Sequence, residues 1–147
     1  MTDSDAAERM ALVLSGHGMQ RMTARVLSAL LFADTETITA GEIAERLGSS
    51  PGSVSTALKM LQDVGLAEVV PAPGSRRTHF RLPDDGWARL MSRQNSVVTS
   101  MLDAAERSME TIGAESPAGQ RLATMHDFYT YVMREFPALI DRWHAER

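Results

Sequence analysis

The sequence predicts a mostly α-helical fold with a small β component, and three observations predict it. Residues 40–64 hold two short amphipathic stretches that meet at Gly48-Ser49-Ser50-Pro51. Two β-rich runs follow, joined by a loop, Pro71 to Arg77, that ends in Gly-Ser-Arg-Arg. Long stretches with helical apolar spacing lie on either side of this block. A helix pair sized for a DNA groove, followed by a basic hairpin, is a winged helix-turn-helix pattern.

Each element has a local reason. Residues 4–15 read as a helix with Ala7, Met10, Ala11 and Leu14 on one face, and Gly16-His17-Gly18 interrupts it. Residues 19–33 read as a second helix, with Met22, Val26, Leu27, Leu30 and Leu31 at helical spacing. Thr37-Ile38-Thr39 is β-prone and could add a strand beside the wing. The third helix runs from Ala40 to Leu47 on an apolar side of Ile43, Ala44 and Leu47. Thr39 and Glu42 have capping-box spacing, and Gly48 allows the left-handed residue that ends the helix. Ser49 or Ser50 caps the fourth helix, with Pro51 in its first turn. Val54, Ala57, Leu58 and Leu61 form its core stripe, and Gly65 ends it.

Leu66 to Val70 and Thr78 to Leu82 read as paired strands, and the two prolines of the loop between them exclude a continuous strand. Asp84 or Asp85 caps a long helix from near Gly86 to Ile112, with apolar positions from Trp87 onward. Such a helix of about 26 residues would be ~40 Å long, too long for a small domain to cover. Its seam is expected to pack on other helices and a second subunit. Gly113 to Pro117 breaks it, a further helix starts near Pro117, and Pro137 is expected to break or kink that one before a short apolar turn at Leu139, Ile140 and Trp143.

Composition narrows the function. A chain of 147 residues with 44% apolar and 23% charged residues is most simply one globular domain. The absence of cysteine excludes disulfides, thiolate metal sites and thiol catalysis. The acidic N-terminus lacks the pattern of a signal peptide, and no apolar run approaches the ~18–20 residues needed to span a bilayer, so a cytoplasmic protein without a membrane partner is expected. The net charge of −4 is unevenly spread. Residues 49–81 carry Lys59, Arg76, Arg77 and Arg81 against Asp63 and Glu68, and this block alone is net positive.

That block holds the candidate site. Ser50, Gly52, Ser53, Ser55 and Thr56 place short polar groups at the start of the fourth helix, where backbone can approach a duplex closely. Its free first-turn amides suit a phosphate, and Lys59 is its one cation. The same serines also make ordinary caps. In the loop, Ser75 precedes Arg76 and Arg77, whose guanidinium forks suit phosphate or a narrow minor groove, and Arg81 lies along the same arm. A solvated charged turn is the alternative. His17, His79, His126 and His144 lack ligand spacing, so no metal is expected; His17 is a candidate pocket residue and His79 is expected to be exposed. No nucleotide, hydrolase or cofactor motif appears, which argues against an enzyme.

The run from Ser50 to Arg81, SPGSVSTALKMLQDVGLAEVVPAPGSRRTHFR, resembles the MarR family of bacterial transcription regulators, and within it the GbsR-like branch. The stretch from Gly16 to Asp34, GHGMQRMTARVLSALLFAD, is similar to the family's second-helix pattern, so the likeness covers about residues 16 to 90. It implies a winged core at 19–83 and a helical dimerisation region at 1–18 and 84–147 within a single domain. It also implies a homodimeric repressor on a palindromic operator of double-stranded DNA, with DNA contacts at Ser53, Ser55, Thr56, Lys59, Arg76 and Arg77. Thr56 stands where many relatives carry arginine, which shifts the expected grip toward the wing. The family often binds small lipophilic effectors, and with ten methionines available this implies a pocket lined by Met22, Val26, Trp87, Met91 and Tyr129, although ordinary core packing accounts for the same residues. The rival readings are a winged-helix protein-interaction module and a small-molecule sensor without direct promoter reading.

Overall fold

A computed structural model of the chain describes residues 2–93 and 95–147. The element order is α1 (Asp3–Gly16), α2 (Arg21–Leu31), β1 (Ile38–Thr39), α3 (Ala40–Leu47), α4 (Pro51–Val64), β2 (Glu68–Val70), β3 (His79–Arg81), α5 (Gly86–Arg93), α6 (Asn95–Ile112) and α7 (Pro117–Ala145). The chain forms two compact units, Met1–Leu90 and Met91–Arg147, with the boundary inside α5.

The first unit is built around α4. Val54, Ala57, Leu58 and Leu61 are all at most 2% exposed, so the predicted stripe is the buried face. It packs with Val26, Leu27 and Leu30 of α2, Ile43 of α3, Leu66 and Phe80. Buried Ala24 and Ala29 let α2 approach its neighbours, and the Ser28 hydroxyl donates to the Ala7 carbonyl, pinning α1 to α2.

Helices α3 and α4 end alike. Gly48 and Gly65 have φ of +64° and +85°, in the left-handed region. In each case the amide of the residue after the glycine reaches back across the last turn, Ser49 to the Ala44 carbonyl and Leu66 to the Leu61 carbonyl. Ser50, not Ser49, caps α4, accepting the Ser53 amide at 3.2 Å. At α3 the Thr39 hydroxyl accepts the Glu42 amide and donates to Glu42 Oε1 at 3.0 Å. The carboxylate thus meets the hydroxyl instead of the Thr39 amide that a full capping box would use, because Thr39 also serves β1.

The sheet has three antiparallel strands in the order β1-β3-β2. Ile38 faces Phe80 and Thr39 faces His79 on one side of β3; Val69 faces Phe80 and Val70 faces His79 on the other. The β-prone run before α3 therefore does become a third strand, and the wing strands are shorter than their β-rich sequence.

In the second unit, α6 packs on α7. Gly113, at φ +84°, ends α6, and Ser116 caps α7 with Pro117 at its start. A Cβ at Gly119 would collide with the backbone of Gly113 and Ala114, which fixes that tight turn. The chain is helical on both sides of residue 94, and the part of the expected long helix that falls there lies outside the described residues. Pro137 does not break α7, which runs through it to Ala145, so Leu139, Ile140 and Trp143 belong to the same helix. Proline removes one backbone donor, a loss that neighbouring turns of a 29-residue helix can carry. Several large apolar side chains stay exposed: Phe128 and Tyr131 at 58%, Leu139 at 51% and Val97 at 63%.

Replacing Leu61 with alanine should cost about 2–5 kcal/mol of stability, because the side chain is fully enclosed. The neighbouring Met60→Ala change, at a side chain 39% exposed, should cost well under half of that. Urea unfolding of both variants checks the rotation of α4; equal losses would mean that its buried face is misassigned.

Candidate nucleic-acid interface

The burial of the α4 stripe turns the opposite face outward. Ser50, Gly52, Ser53, Ser55, Thr56 and Lys59 are all exposed, as the sequence pattern requires. Their hydroxyls are partly committed. Ser50 and Ser53 Oγ lie 2.8 Å apart, and the Thr56 hydroxyl donates to the Gly52 carbonyl at 3.0 Å. Thr56 therefore presents its methyl group and free lone pairs, but no hydroxyl proton.

Open grooves flank the first turns of α4. Ser53 and Thr56 line one, with Gln20, Met22, Thr23 and Met60. Ser55 lines the other, together with Arg77 and Thr78 of the wing loop and Thr39 to Gly41. Helix and wing thus share a groove wall, which the sequence placed 22 residues apart without showing that they meet.

The wing cations differ. Arg76 and Arg77 are exposed, and among the described residues neither they nor Lys59 pair with a carboxylate. Arg81 does: its Nε bonds Glu68 Oε1 directly across the β2–β3 ladder, and Glu68 holds the guanidinium even further above its ordinary pKa. The pair braces the two wing strands at the base of the wing, and the Arg81 side chain stays 51% exposed.

The remaining candidates fall elsewhere. Val26 is fully buried in the core, because α2 turns it toward α3 and α4. Met22 is half-buried beside the α4 start, and Trp87 and Met91 are 40% and 49% exposed on α5. Tyr129, on α7, is half-buried; Met22, Val26 and Trp87 belong to the first unit, Met91 and Tyr129 to the second. His17 is the exposed C-cap of α1, not a pocket residue. His79 is half-buried and bonded through both ring nitrogens, against the expectation of simple exposure. Among the described residues no cluster of three or more His, Asp or Glu could hold a metal, and no helix is long and apolar enough to cross a membrane.

One residue that the sequence reading passed over holds the helix pair in place. Arg25 forks onto Glu8 of α1 at 2.8 and 3.1 Å. It also donates to the Leu47 carbonyl at 3.1 Å and to Ser49 Oγ at 3.3 Å, both at the α3–α4 turn. Its signal was available: it is the one charged residue in the run from Met22 to Leu31. A cavity of about 160 Å³ beside it is lined by the charged Asp3, Glu8, Arg25, Asp34 and Arg46 and by the apolar Ala7, Ala11, Ala29, Phe32 and Leu47.

Comparison with known proteins agrees with this geometry. The sequence model of the MarR family matches residues 17–78, and that of MmpR5-like MarR family transcriptional regulators matches residues 85–146. The HTH-type transcriptional regulator MmpR5 of Mycobacterium tuberculosis (strain ATCC 25618 / H37Rv) is 29% identical over 126 residues, covering 85% of this chain and 76% of that protein. A crystal structure of a transcriptional regulator superposes with a TM-score of 0.79 at 27% identity, covering 99% of both chains. The archaeal chromatin protein TrmBL2 shares the fold over 76% of this chain and 44% of its own, at 20% identity and a TM-score of 0.55.

Arg25→Ala should lower stability by about 1.5–3 kcal/mol, the scale of hydrogen bonds from a charged donor. Arg25→Lys should recover less than half of it, because one ammonium cannot span the same fork. Urea midpoints measure both, and an unchanged midpoint for Arg25→Ala would remove Arg25 from this role.

Proposed function

Because this chain belongs to the MarR family of transcriptional regulators, with a DNA-binding helix-turn-helix, we propose that it acts as a homodimeric repressor on a palindromic operator. In this reading α4 enters the major groove from its Ser50-capped end, with Gly52, Ser53, Ser55, Thr56 and Lys59 toward the duplex. Ser75, Arg76 and Arg77 meet the flanking backbone or minor groove. The observation that carries it is the pairing, in one groove wall, of the exposed α4 face with a wing whose two tip arginines have no carboxylate partner among the described residues. Unpaired guanidiniums are free to displace counterions from phosphate.

Dimerisation is supported by the apolar side chains left open on α6 and α7, including Val97, Phe128, Tyr131 and Leu139. Scattered exposed apolar residues are common, but an accumulation of this kind marks an interaction surface. Two copies would also double a modest cationic footprint on an acidic chain. We place the DNA-reading half beside the GbsR-like branch on its Ser50 to Arg81 motif. Release by a small lipophilic effector completes the reading, supported by Trp87, an exposed aromatic on α5.

A gel shift on duplexes selected from a random library tests the assignment. The wild-type protein should select a two-fold symmetric site with half-sites about one helical turn apart. Its affinity should fall steeply with salt, and Arg76→Ala/Arg77→Ala should flatten the slope by about 0.9 for each phosphate that is no longer neutralised. Wild-type affinity and slope in the double variant would remove the wing from the interface. No selected sequence at all would favour a protein-interaction module, a reading that the net charge of −4 supports.

A further inference from the structure

We propose that His79 is a positioning residue for DNA binding: a strut that holds the wing tip in shape so that Arg76 and Arg77 arrive already ordered. The proposal rests on the reading that the wing contacts DNA. Three observations carry it. His79 lies on β3, the central strand, opposite both Thr39 and Val70, so its backbone is held from both sides. Its Nδ1 is 2.9 Å from Thr37 Oγ1, in the segment leading into β1, and its Nε2 is 3.0 Å from Ser75 Oγ in the wing loop. Ser75 Oγ in turn accepts the Arg77 amide at 3.2 Å.

The chemistry makes this bridge selective. A neutral imidazole offers one donor and one acceptor nitrogen, and each hydroxyl can take the complementary role. A ring satisfied at both nitrogens has its rotation fixed. The ladder ends at the Val70–His79 pair, so residues 71–78 lie beyond strand pairing. The loop's own backbone bond runs from the Ser75 amide to the Ala72 carbonyl at 3.0 Å. The imidazole thus ties the residue just before Arg76-Arg77 to the far edge of the sheet. A loop ordered before binding loses less freedom on binding, so the same phosphate contacts yield more affinity.

The test is a double-mutant cycle on a duplex that the wild-type protein recovers from a random library. His79→Ala should weaken binding about tenfold, the scale of ordering long side chains at an interface. It should leave the salt slope near the wild-type value, because both arginines remain. Thr37→Val cuts the same bridge at its other end, away from the residues placed on DNA, and should reproduce the loss if the strand variant folds poorly. His79→Gln, whose amide can replace the Nε2 contact, should recover most of the affinity. In the Arg76→Ala/Arg77→Ala background, His79→Ala should change affinity less than about twofold.

Wild-type binding by both His79→Ala and Thr37→Val overturns the proposal. So does a His79→Ala loss of equal size in both backgrounds, which is the mark of a general structural role. In either case an arginine double variant that still loses affinity leaves the wing assignment standing. If the arginine double variant binds like wild type, the wing assignment itself falls, and the strut with it.

Discussion

The constraint on which the rest depends is the double duty of α4. One stripe, Val54, Ala57, Leu58 and Leu61, closes the core of the first unit, and every residue of it is essentially fully enclosed. Core packing tolerates little rotation, because displaced side chains would open voids or clash. The outward set, Ser53, Ser55, Thr56 and Lys59, is therefore fixed by what lies behind it. The caps follow the same logic. Ser50 and Gly65 set where α4 starts and stops.

Around that helix, polar groups do the orienting. Arg25 joins α1, α2 and the α3–α4 turn through a single guanidinium. Ser28 adds a second link from α2 to α1. In the sheet, Arg81 and Glu68 brace the base of the wing and His79 braces its tip. The cations divide accordingly. Arg25 and Arg81 are paired with carboxylates, and among the described residues Lys59, Arg76 and Arg77 are not.

This division explains which parts of the site were legible in the sequence. Helix boundaries near Gly48, Pro51 and Gly65 were readable, because caps are local and involve residues a few positions apart. The α4 faces were readable because apolar spacing reports burial directly. The roles of Arg81 and His79 were not. Each depends on a residue across a ladder, Glu68 in one case and Thr37 and Ser75 in the other, and sequence spacing says nothing about cross-strand distance. Pro137 does not break its helix for a related reason: its local cost is real, but the long helix around it continues through it. The spacing of Val26 fits a pocket wall and a core position alike, and its full burial is a relation that spacing does not report.

The sequence by itself determined the class of molecule: a winged helix-turn-helix with a serine-capped fourth helix, a basic wing tip and long flanking helices. It could do so because periodicity, capping and turn chemistry act over a few residues and leave their mark at fixed spacing. Only the tertiary structure decided which cations are free, which hydroxyls are already committed, and that Ser55 and Arg77 wall the same groove. Those are relations between elements far apart in the chain. They are set by how the core closes, and no local pattern encodes them.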